Sequence, residues 1–140
     1  MWIVFKYKQK NLESLKRNLI SKLGEETKFF EPKYKFFRFF KNKYVPKVKH
    51  LMQNYIICFN KKLIRKDILQ NVKFVKGSDY FLENSVNNQA DIKKFIFYCQ
   101  EFQDEDGILS QDFFDIPEKN EGNFFSGPLA NMFFEIISRN

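Results

Sequence analysis

A chain of 140 residues with a net charge of +7 is one ordinary domain, or one domain and a fragment. The apolar content, which includes 19 Phe, is sufficient for a compact core. The apolar run at residues 1–5 is too short for a signal peptide, and no later run approaches the ~18 residues of a membrane span. The sequence therefore predicts a soluble, cytoplasmic protein.

In chain order, residues 2–8 (WIVFKYK) are β-branched and aromatic, which predicts a first strand. Asn11 is placed as a helix N-cap. Leu12, Leu15, Leu19 and Leu23 then recur at three- and four-residue steps, laying an apolar stripe along a helix that stops at Gly24. A second strand is expected from Phe29 to Phe40. Pro32 near its start cannot donate to a ladder and suggests an edge. Residues 41–47, which include Pro46, read as a basic turn. The stretch 51–59 (LMQNYIICF) reads as a central strand with a bend at Gln53-Asn54. Residues 62–71 predict a short helix and Tyr80-Phe81-Leu82 a short strand. Ile92, Phe95, Ile96, Cys99 and Phe102 line one face of a further helix.

Three acids and Gly107 within residues 103–107 mark an expected end of the domain. The predicted organisation is a domain over 1–103, an acidic linker over 104–121 and a separate segment over 122–140. The fold class is α+β, a small antiparallel β-sheet flanked by helices in the order β-α-β-β-α-β-α.

Charge is distributed unevenly. Residues 1–82 hold 20 Lys and Arg against six Asp and Glu, whereas residues 83–140 hold four against 11. Between positions 28 and 50 there are eight basic residues and one acid, Glu31. That imbalance points to a polyanion, nucleic acid above all, bound by the N-terminal part. The plainer alternative is a hairpin tip kept in water by its lysines.

No catalytic constellation is visible. His50, the one histidine, lies among lysines and reads as a surface imidazole. The five glycines are scattered and build no phosphate loop. One His and two distant cysteines, Cys58 and Cys99, make no zinc set, and the two cysteines read as buried reduced thiols. Neither an enzymatic activity nor a cofactor or metal is expected; the chain reads as a binding protein.

Several short segments resemble the N-terminal domain of the NusG family, and its RfaH-type paralogues in particular. They are Trp2-Ile3-Val4, Phe30-Glu31-Pro32, the stretch from Leu51 to Ile57, and Gly77 with Tyr80-Phe81-Leu82. Ser126-Gly127-Pro128-Leu129-Ala130-Asn131 is similar to the core of a KOW motif, with too few strands to close a β-barrel. Gln53 stands where the family usually has Pro, and Met52 where it has an aromatic.

The resemblance implies a transcription elongation or antitermination factor that lays an apolar hollow over the RNA polymerase clamp helices. Trp2, Val4, Met52, Tyr55 and Ile57 would form or border that hollow. It also implies contact with DNA of the elongation complex through Lys8, Lys10 and Asn11. Beside them Tyr7, from its own chemistry, reads equally as a ring for an unpaired base or as sheet packing. Lys41, Lys43, Lys47 and Lys49 on the basic turn are added as DNA contacts from charge alone. The His-Thr-Thr run used by RfaH-like members is missing near residues 68–71. A complete KOW domain would add a ribosome or Rho contact; the chain is otherwise expected to be monomeric. The alternatives are a stand-alone nucleic-acid-binding module and a ribosome-associated KOW-type protein.

Overall fold

The computed structural model describes residues 1–114. The later part of the expected linker and the whole KOW-like segment lie outside the described residues.

The fold is α+β. Strand β1 (Trp2–Tyr7) leads through a 3-10 turn into helix α1 (Leu12–Leu23), followed by β2 (Lys28–Phe30), β3 (Lys33–Phe40), β4 (Lys43–His50) and β5 (Tyr55–Phe59). Helix α2 (Lys66–Val72), β6 (Ser78–Phe81), α3 (Gln89–Phe102) and the short β7 (Ile108–Leu109) complete it. One sheet has the order β2-β5-β1-β6 with every pair antiparallel. A second has the order β4-β3-β7, in which β3 and β4 are antiparallel and β7 joins β3 in parallel.

Alternation along β1 and β5 gives the four-stranded sheet two apolar faces. Ile3, Phe5 and Tyr7 of β1, with Ile56 and Cys58 of β5, face Leu15, Leu19 and Leu23 of α1 and Leu69 and Val72 of α2. Val4 and Ile57 face the other way, under Ile92, Phe95, Ile96 and Cys99 of α3. The Phe30 and Phe95 rings meet edge to face at 6.5 Å. Every predicted stripe residue of α1 beyond Leu12 is buried.

Where β6 stops short, other groups satisfy the backbone of β1. The Val4 amide donates to the Ser85 hydroxyl at 3.1 Å and the Leu82 amide to the Val4 carbonyl at 2.8 Å. The Gln89 side chain accepts from the Trp2 amide at 2.8 Å and donates to its carbonyl at 2.6 Å, acting as a substitute strand partner. Asn60, buried, ties the end of α1 to the chain after β5. Its amide group donates to the Leu23 carbonyl at 3.3 Å while its carbonyl accepts from the Lys62 amide at 2.9 Å.

Three expectations change. The long second strand divides at Glu31-Pro32, so β2 joins one sheet and β3 the other. The basic turn shrinks from 41–47 to Lys41 and Asn42, both at positive φ, and Lys43–His50 becomes a strand of its own. Pro46 is tolerated there because β4 is an edge. Finally, packed chain continues past residue 103. Gly107, at φ +78, turns the backbone into β7, and Phe113 is fully buried against Tyr98 and Phe102 of α3.

Gly77 joins α2 to β6 at φ +104, and a Cβ there would stand 2.8 Å from the backbone of Leu15 in α1. Strain and collision act together, so Gly77→Ala is expected to cost about 3 kcal/mol or more. Urea unfolding of the variant measures it; a change under about 0.5 kcal/mol would show that the loop and α1 are not held this close.

Candidate nucleic-acid interface

The hairpin β3–β4 is the most exposed regular element in the described residues. Phe37, Phe39, Phe40, Tyr44 and Val48 are each more than half exposed. Its two-residue connection at Lys41 (φ 50) and Asn42 (φ 63) matches the twist of the strands it joins, and Asn tolerates such a φ at low cost. The register runs unbroken from the pair Lys33 and His50 to the pair Phe40 and Lys43. Parity along either strand therefore assigns each side chain to a face.

One face carries Tyr34, Phe36, Arg38 and Phe40 from β3 and Lys43, Val45, Lys47 and Lys49 from β4. Rings and cations alternate across it. A groove of about 220 Å³ on this face is lined by Arg38, Phe40, Val45 and Lys47. The other face carries Phe37 and Phe39 opposite Pro46 and Tyr44, with Val48 beyond them and Lys33, Lys35 and His50 toward the base. The Phe39 and Tyr44 rings are 5.3 Å apart and tilted by 58°. Lys41 leans from the turn over the Phe40 ring, 5.4 Å from its centre.

Between Glu31 and Asp67 the chain has no acidic residue, while the hairpin alone carries seven Lys and Arg. An isolated two-stranded ribbon is marginally stable in water, and this one buries little on either face. Exposed aromatic area of this extent makes the hairpin the candidate site among the described residues.

At the hairpin base, a cleft of about 320 Å³ is lined by Tyr7, Gln9 and Leu12 from one side and Val48, Lys49, His50 and Gln53 from the other. Of the residues predicted to bind nucleic acid, Tyr7 and Lys49 line this cleft. Lys8 and Lys10 are exposed on the 3-10 turn, and Asn11 is half-buried with its side chain making no capping bond. Lys41, Lys43, Lys47 and Lys49 are exposed along the hairpin. Tyr7 is otherwise placed. Its ring belongs to the core under α1, and burial, with Glu31 nearby, pushes its hydroxyl up to about 12. Sheet packing, the second of its two readings, is what the structure shows.

His50 is half-buried rather than a surface imidazole. Burial lowers its pKa, opposed by the Glu31 carboxylate and assisted by Lys33, so it is neutral at pH 7. Burial raises Cys58 to about 12 and Cys99 well above its usual value, which leaves neither thiol ionised near neutrality.

The residues expected to form an open apolar hollow are found in the core. Val4 and Ile57 are completely buried and Met52 nearly so, beneath α3, Leu109 and Phe113. Trp2 and Tyr55 are half-buried on the margin of that cluster. The expectation fails because α3 and residues 108–114 together cover the sheet face on which these residues lie.

Phe36, Phe37, Phe39, Phe40 and Tyr44, exposed on the hairpin, were not named as candidate site residues from the sequence. The available signal was aromatics at both parities of one strand facing a lysine-rich arm, since a ribbon cannot bury both faces under so much charge. No protein-family model matches the chain, and no curated protein matches it. Among the described residues no helix is long and apolar enough to cross a membrane.

Proposed function

We propose that the protein is a non-enzymatic transcription elongation factor of the NusG/RfaH type, whose hairpin holds nucleic acid while the margin of the α3 face engages RNA polymerase. The observation that carries this reading is spatial. The separated segments of the resemblance are neighbours: Val4 pairs with Ile57, Phe30 pairs with Ile57, and the Leu82 amide donates to the Val4 carbonyl. The Leu51 amide donates to the Pro32 carbonyl at 2.9 Å, which closes the base of the hairpin. Short motifs that are weak one by one thus support each other as parts of one structural unit.

Within this reading Trp2 and Tyr55 are the polymerase contacts, and Val4, Met52 and Ile57 support them from beneath. Tyr55 offers apolar area with a polar tip, suited to a helical partner. Binding to the clamp helices holds the clamp closed and makes elongation processive. The lysines of the hairpin neutralise phosphates of the adjoining DNA irrespective of sequence.

Tyr55→Asp is expected to abolish retention of core RNA polymerase while preserving salt-dependent DNA binding. A melting curve matched to wild type establishes that the fold is intact. Equal retention by a folded variant would refute the polymerase contact. One observation favours a second reading, a nucleic-acid-binding module with no polymerase partner: the face proposed for polymerase is already occupied by α3 and Phe113.

A further inference from the structure

We infer that the hairpin face bearing Phe37, Phe39 and Tyr44 is a stacking platform for the unpaired bases of single-stranded nucleic acid. The inference deepens the nucleic-acid half of the function proposed above and is independent of the polymerase half.

The ordering of side chains along that face carries the argument. From the base outward it presents Lys35 opposite Val48, then Phe37 opposite Pro46, then Phe39 opposite Tyr44, and finally the turn with Lys41. Aromatic rings thus lie between two cations, over a length of about 20 Å at ~3.4 Å per strand residue. The three rings are 66%, 60% and 73% exposed, so no part of the described chain covers them.

An extended single strand matches both chemistries together. Its bases offer flat π faces to the rings, and its phosphates reach Lys35 and Lys41. Duplex DNA has its bases stacked on one another and offers only phosphate, for which the rings have no use. The opposite face, where each of Phe36 and Phe40 stands across from a lysine, suits phosphate contact of any kind.

The occupant is chosen by charge. Seven cations and no acid in the hairpin call for a polyanion. An anionic membrane would take the same charge, but insertion by the tip would bury Lys41, Asn42 and Lys43 ahead of any ring. Tip-first insertion is therefore disfavoured, while a nucleic-acid strand lying along the ribbon leaves those groups in water.

The test compares wild type with a variant carrying Phe37→Leu, Phe39→Leu and Tyr44→Leu. Leucine keeps an apolar side chain at each position and removes the ring. Binding is measured by fluorescence anisotropy to an oligothymidylate of about 15 nucleotides and to a blunt duplex of equal length. The variant is expected to lose about tenfold or more in affinity for the oligothymidylate and less than about twofold for the duplex, with an unchanged salt slope. Unchanged oligothymidylate affinity, or equal loss on both probes, would overturn the inference. So would co-sedimentation of both proteins with phosphatidylserine vesicles when neither binds the oligonucleotide. Retention of core RNA polymerase by the leucine variant separates the two proposals: if it persists while stacking fails, only the platform is refuted.

Discussion

Replacing Lys41, Lys43, Lys47 and Lys49 together by Gln is expected to reduce the slope of log affinity against log salt by up to about 3.6 for duplex DNA, and by only about 0.7, the share of Lys41, for a single strand on the Phe37 face. Each phosphate neutralised by a lysine releases a condensed counterion, and the slope counts those ions. Lys43, Lys47 and Lys49 share the face opposite Phe37 and Phe39, and Lys41 occupies the turn, so a duplex backbone lying along that face reaches all four. All four are exposed, and none takes part in a salt bridge among those found in the described residues. The substitutions should therefore leave stability within about 0.5 kcal/mol. An affinity loss with an unchanged slope would mean that the ribbon does not touch phosphate.

Phe113→Ala is expected to destabilise the domain by about 3–5 kcal/mol, the cost of emptying a fully buried aromatic site. For a domain of this size that lowers the melting midpoint by about ten degrees or more. Phe113 has ring centres of Tyr98 at 4.8 Å, Phe114 at 4.9 Å and Phe102 at 6.2 Å, and its carbonyl accepts from the Tyr98 hydroxyl. Phe114 continues the cluster to Tyr34 at the foot of β3, 5.8 Å away. These contacts attach the hairpin base to α3. A variant within about 0.5 kcal/mol of wild type would instead mean that residues 108–114 behave as a linker.

That segment also shows where sequence reasoning stops. Asp104, Glu105 and Asp106 look like solvated linker, and in part they are: the Asp104 carboxylate accepts from the Asp106 and Ile108 amides in a surface turn. What the local composition conceals is that Gly107 sends the chain back to pair with β3, a contact set by residues some 75 positions away. The α1 stripe was legible because Leu15, Leu19 and Leu23 repeat at helical spacing and one sheet face accepts them all.

The strands β1 and β5 were legible for a related reason. Both are buried on two faces, so apolar residues follow one another without polar alternation. The hairpin was legible in charge and misread in shape. Pro46 argued for a turn, and only the free edge of β4 makes it acceptable in a strand. Burial of Val4, Met52 and Ile57 depends on how α3 lies across the sheet, which no local pattern encodes.

In the proposed function two contacts act together, one to polymerase and one to nucleic acid. This is tested most directly by comparing binding to a reconstituted elongation complex with binding to the same nucleic-acid scaffold lacking polymerase. Linked contacts predict tighter binding to the complex by about a hundredfold or more. Equal affinity for the two would refute the polymerase contact and leave a hairpin that binds nucleic acid alone.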